Sequence, residues 1–117
     1  MNNLNSVLLE GQLVHNPQAK TAPNGNMVCI FTLATERRFV RKHQEQRDVS
    51  YFEVEVSNRC AELCAAVLEK DSGVRVVGRL REMTWVDEGG QSHSRLWIVG
   101  EQVQRKALKP LVFGSSE

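Results

Sequence analysis

Apolar positions along the chain change their spacing several times, and each change marks an element. Ser6-Val7-Leu8-Leu9-Glu10-Gly11-Gln12-Leu13-Val14 is aliphatic and predicts a strand. Gly11 interrupts it, as a glycine does at a bulge or a sharp barrel corner. Turn signals follow at Asn16-Pro17 and Pro23-Asn24-Gly25. Met27 to Thr35 is a second strand, apolar enough to be covered on much of both faces. Glu36 to Val49 is charged and has no apolar period, whereas Tyr51-Phe52-Glu53-Val54-Glu55-Val56 ends in strict alternation and predicts a third strand. Cys60, Leu63, Cys64, Val67 and Leu68 then fall on one stripe of a helix, with Asn58 as N-cap and Asp71-Ser72-Gly73 as the stop. Val74 to Leu80 returns to strand character, which Met83 to Val86 extends. Asp87 to Gln91 is a loop, and Arg95 to Val103 is the last strand.

The pattern is all-β with one helix: three strands, the helix, two strands. A lone helix between the third and fourth strands is the order of a five-stranded oligonucleotide-binding (OB) barrel, with another small α+β sheet as the competing architecture. Residues 1–105 read as one domain, and 106–117, ending Gly114-Ser115-Ser116-Glu117, as a short flexible tail.

Composition narrows the function classes. The 117 residues are 41% hydrophobic and 25% charged, enough for one packed core. No apolar run approaches the roughly 20 residues of a membrane span, and the N-terminus lacks the features of a secretory signal. Cys29, Cys60 and Cys64 include no CxxC pair, so neither zinc nor a disulfide framework is expected, and the cytoplasm is the natural compartment. Fifteen bases against 14 acids leave a net charge of +1, so any anion site must arise from local clustering.

Catalytic signals are missing from the pattern. The glycines fit no phosphate-loop spacing, and His15, His43 and His93 lie far apart. Cys60 and Cys64 share the apolar stripe and read as core thiols. No enzyme, metal or cofactor is expected. The segment Glu36-Arg37-Arg38-Phe39-Val40-Arg41-Lys42-His43 is more informative, with four bases, one acid and a central aromatic in eight residues. Bases attract phosphate and an exposed aromatic stacks nucleotide bases; a solvated loop with Phe39 tucked into the core is the alternative. Tyr51 and Phe52 point to opposite faces of their strand, so one belongs to the core and the other outside. Trp85 shares a strand face with Arg79 and Arg81, and read alone a Trp there is more often a core or interface residue than a platform.

Together, these residues resemble the bacterial single-stranded DNA-binding proteins. The resemblance rests on Leu4-Asn5-Ser6-Val7, Gly11-Gln12-Leu13, Asn16-Pro17, Phe31-Thr32-Leu33-Ala34-Thr35, Ala61-Glu62-Leu63, Gly78-Arg79-Leu80 and Trp85, in order, over about residues 4–103. It implies an OB barrel that forms a homo-oligomer, usually a tetramer, and wraps single-stranded DNA without sequence preference. It also implies base stacking by Phe39, Tyr51 and Trp85. Departures are Ser57 at a usual aromatic position, Gln12 for a frequent Arg, Asp71 for a usual Gly, and Trp97 at a commonly polar position, where a subunit contact is the expected role. Replication and repair proteins stay among the candidate partners, although the family's acidic recruiting tail has no counterpart in Leu111-Val112-Phe113-Gly114-Ser115-Ser116-Glu117.

The expected function is therefore coating of single-stranded DNA in replication, recombination and repair, in the nucleoid. Arg37, Arg38, Arg41, Lys42, Arg79 and Arg81 would bind phosphates. Apolar strand positions Val7, Leu9, Trp97 and Val99 would supply an oligomer contact, as a tetramer or a dimer. The alternatives are a dimeric replication-restart adaptor of the same fold, or an oligomeric module that binds no DNA.

Overall fold

The computed structural model describes residues 2–106. Six strands and one helix follow in the order β1 (Val7–Leu13), β2 (Gln18–Thr21), β3 (Met27–Arg41), β4 (Gln44–Ser57), α1 (Asn58–Val67), β5 (Gly73–Val86) and β6 (Ser92–Lys106). Strand β1 pairs antiparallel with β5 and β3, β5 with β6, and β3 with β4, while β4 runs parallel to β6. Those pairings form a closed circuit of five strands, an OB barrel, to which β2 adds a short hairpin on the edge of β3.

Closure depends on Gly11. At this point β1 leaves β5 for β3, and a β-carbon on Gly11 would stand 2.1 Å from the Ala34 carbonyl oxygen. Only glycine lets the two backbones approach so closely. Gly78 has the same role at the bulge in β5, where a β-carbon would meet the Val99 carbonyl oxygen at 2.1 Å.

The core alternates off the strands: Cys29, Phe31 and Leu33 of β3 meet Val54 and Val56 of β4, with Leu13, Val74, Val76 and Ile98 completing the interior. Helix α1 closes one end with Ala61 and Cys64, followed by Leu68 just past its end. Burial, followed by the neighbouring Cys60, pushes the Cys64 thiol up to about 12, and burial raises Cys29 as well. Both therefore stay protonated core thiols.

The structure departs from the predicted elements in several places. The charged stretch 36–49 is no loop, because β3 and β4 continue through it as a two-stranded ribbon with Arg41 paired to Gln44. Lys42 and His43, at φ 52° and 65°, make the two-residue turn, the left-handed pair that suits right-twisted strands. The stripe on α1 is only half covered: Leu63 and Val67 face solvent because the helix caps the barrel by one edge. Ser57, not Asn58, stands at the N-cap, with no side-chain cap bond; Asn58 adopts φ 57°. Asp71 adopts φ 74°, a geometry that suits the glycine usual there. Val7 and Leu9 pack against the core and Trp97 is buried, so they are not spare apolar surface. The strand β6 runs through Lys106, one residue past the expected domain limit; the rest of the expected tail lies outside the described residues.

Candidate nucleic-acid interface

Strand alternation sorts the sequence-predicted residues onto two surfaces. On the ribbon, Tyr51 pairs with Ala34 and Phe39 with Gln46. Positions 34 and 39 have opposite parity, so Tyr51 and Phe39 project from opposite faces.

Phe39 stays outside the core cluster. It is half-buried between its own strand neighbours, with the Arg37 guanidinium 4.8 Å and the Arg41 guanidinium 5.6 Å from the ring centroid. Residues two apart on a strand share a face, which brings these three side chains together. Arg38 points the other way, where Nε donates to Glu36 Oε1 at 2.8 Å and Nη1 lies 3.5 Å from Glu45 Oε1. The bond to Glu36 raises its pKa further. The cluster thus divides into an aromatic flanked by two cations and an arginine already held by acids. Lys42 is exposed at the tip of the turn.

The second surface is the outer face of β4, β6 and β5. Val54 lies opposite Ile98 and Glu55 opposite Val99. Continued back along the parallel pair, that register sets Glu53 beside Trp97 and Tyr51 beside Arg95. Across β6, Arg95 pairs with Met83, Trp97 with Arg81, Val99 with Arg79 and His93 with Trp85. Tyr51, Arg79, Arg81 and Trp85 therefore share one face. Tyr51 is 56% and Trp85 43% exposed, values that exclude both from the core, while Phe52 packs inward. Arg79 reaches Glu101 only at 4.0 Å.

Three residues of this face escaped the sequence reading. His93 stacks on Trp85 with ring centroids 5.5 Å apart, and its Nε2 lies 2.7 Å from Asp87 Oδ2. That contact lowers the Asp87 pKa. Arg95 donates to Glu53 through Nε at 2.9 Å and through Nη2, and its guanidinium lies 4.0 Å from the Trp97 ring centroid. Met83 is exposed between Arg81 and Trp85. Counting outward from the Asp87–Gln91 turn would have paired 93 with 85 and 95 with 83.

Trp97 is 5% exposed yet does not belong to the core cluster; arginines on the outer face cover it. Ser57, at the usual aromatic position, ends β4 exposed. Among the described residues, no cluster of His, Cys, Asp and Glu could hold a metal ion, and no helix is long and apolar enough to cross a membrane.

Comparison with known proteins agrees with the fold. The profile of the single-strand binding protein family matches residues 4–106. A single-stranded DNA-binding protein of Wolinella succinogenes is 32% identical over 101 residues, 86% of this chain and 62% of that protein. Single-stranded DNA-binding protein 2 of Chlorobaculum tepidum is 37% identical over 106 residues, 89% of this chain and 72% of the relative. The crystal structure of the wild-type single-stranded DNA binding protein from Thermus aquaticus superposes with a TM-score of 0.77 at 29% identity, covering 88% of this chain and 50% of that one. The chain spans 62% and 56% of the Wolinella succinogenes and Helicobacter pylori proteins, respectively.

Proposed function

Because the chain belongs to the single-strand binding protein family, we propose that it coats single-stranded DNA without sequence preference, as a non-enzymatic protein serving replication, recombination and repair. The observation that carries this reading is the outer face of β4–β6–β5, where exposed Tyr51 and Trp85 stand among arginines. An exposed ring stacks any base, each worth about 1–3 kcal/mol, which is why such a surface is general. Phe39 with Arg37 and Arg41 supplies a further platform on the ribbon. Arg37, Arg41, Lys42, Arg79 and Arg81 act on phosphates, and Arg38 joins them only by leaving Glu36 and Glu45.

The near-neutral net charge is compatible with this function, because ionic attraction depends on where the bases cluster. The protein self-associates in this reading, as a homotetramer. Exposed Leu8, Val86 and Leu96 favour association, and the segment Val7–Gly11 pairs only with β5, leaving one strand edge open. Sedimentation together with oligo-dT titration tests the proposal. A tetramer that binds oligo-dT supports it; a dimer that binds weakly points to a replication-restart adaptor, and no binding leaves an interaction module.

A further inference from the structure

We propose that Arg81, Trp97 and Arg95 form a phosphate-binding centre beside Tyr51, on the side away from Trp85, with Trp97 as the positioning residue that holds the two guanidiniums. The proposal rests on the single-stranded DNA reading above and adds Arg95 and Trp97 to it.

The indole stands where the resembling family commonly has a polar residue, and the structure gives it two cations. The Arg81 and Arg95 guanidinium carbons lie 5.4 Å and 4.0 Å from its ring centroid. Both arise from register, Arg81 directly across the β5–β6 pair and Arg95 two residues back on β6. A flat guanidinium over an indole is a favourable pair that restricts the rotamers of a long side chain. The Trp97 ring thereby fixes where two otherwise mobile cations point.

Hydrogen-bond donors at this point outnumber acceptors. The Trp97 indole N–H is buried and has no acceptor among the described residues. An unmatched buried donor is rare and calls for a missing partner. Arg81 forms no ion pair among the described residues and lies against the Trp97 ring. Arg95 is paired with Glu53 and, at 3.7 Å, Glu55, so Arg81 carries the uncompensated charge of the centre and Arg95 joins it by turning from those acids. Each guanidinium carries five N–H donors. The chemistry such a centre accepts is an anion with several acceptor oxygens and no donors, which describes a phosphodiester.

Position identifies the phosphodiester as part of the same strand. Register sets Tyr51 beside Arg95, with Arg81 and Trp97 one outward-facing step further along; Trp85 stands four residues from Arg81, about 13 Å along β5. A strand stacked on Trp85 and Tyr51 passes Arg95 at the level of Tyr51, and carried one outward-facing step further in the same direction its backbone meets Arg81.

The test is titration of labelled oligo-dT, across a salt series, with the wild-type chain and with Trp97→Leu, Trp97→Phe, Arg81→Gln and Arg95→Gln. Loss of one phosphate contact flattens the slope of log K against log salt by about 0.7. The proposal expects that flattening, with severalfold weaker binding, in Arg81→Gln and in Arg95→Gln. It expects the same from Trp97→Leu, which removes no charge, and recovery of the wild-type slope in Trp97→Phe, which keeps a ring. A merely structural indole would lower stability without moving the slope. Wild-type slopes in Trp97→Leu and both arginine variants, with the wild type binding normally, overturn this centre alone. A wild-type chain that does not bind oligo-dT overturns the proposed function and this centre with it. If urea unfolding shows Trp97→Leu unfolded, Arg81→Gln and Arg95→Gln decide.

Discussion

Replacing Gly11 by alanine tests how the barrel is closed. The added β-carbon would lie 2.1 Å from the Ala34 carbonyl oxygen and 2.9 Å from its carbonyl carbon. Both neighbours are backbone, so no rotamer change relieves the clash. Restoring an ordinary contact requires β1 and β3 to separate by about 1 Å, from a normal strand spacing of about 4.8 Å. Only Gln12↔Ala34 and Leu13↔Leu33 pair across this seam, supported by Thr35 Oγ1 donating to Glu10 O at 3.1 Å. Stretching about three hydrogen bonds, each worth about 0.5–1.5 kcal/mol, and loosening the packing of Leu13 and Leu33 gives a loss of about 3–5 kcal/mol. Against a total stability of about 5–15 kcal/mol, that is a large fraction. At about 2 kcal/mol per molar urea, the unfolding midpoint should fall by about 2 M at fixed protein concentration. Gly89→Ala, whose β-carbon would meet only Asp87 Oδ1 at 3.4 Å, serves as the control and should stay within about 0.5 kcal/mol. A Gly11→Ala chain as stable as that control would refute closure at this seam.

Three further outcomes follow. Trp85→Ala should weaken oligo-dT binding by about 1–3 kcal/mol and remove most of the tryptophan quenching seen on titration, because stacking supplies both. Neutralising Arg37 and Arg41 together should flatten the salt slope by about 1.4, read from titrations between 50 and 300 mM salt, roughly the range in which such slopes are linear. The Cys64 thiol is held up to about 12 against an ordinary 9.0, by burial first. Its folded value lies above its unfolded one, so the contribution is complete below about pH 9 and is lost as pH rises toward 12. Stability should therefore decline over that window in the wild type and decline less in Cys64→Ala, measured by urea unfolding at each pH.

Much of the barrel was legible because its determinants are local. Gly11 inside an aliphatic run marks a corner, the strict alternation of Tyr51 to Val56 marks a half-exposed strand, and the periodicity switch at Cys60 marks the helix. The ribbon formed by residues 36–49 was not legible, since both of its faces meet solvent and nothing demands apolar alternation. Leu63 and Val67 misled for a related reason: helical spacing says which residues share a stripe, not how much of the stripe the barrel covers. At the candidate site, parity placed Trp85 with Arg79 and Arg81 but could not reach across strands. The contacts of Trp97 with Arg81 and of Arg95 with Glu53 depend on the β5–β6 and β4–β6 registers, which join positions 16 and 42 residues apart.

Fluorescence anisotropy of labelled oligo-dT, titrated with the wild-type chain at several salt concentrations beside a duplex of equal length, tests the central claim most directly. The account predicts saturable binding to the single strand, with log K falling against log salt at a slope of about −3.5 for the five bases assigned to phosphates, and much weaker binding to the duplex, whose bases are not free to stack. No saturable rise with oligo-dT, or equal affinity for the duplex, would contradict it.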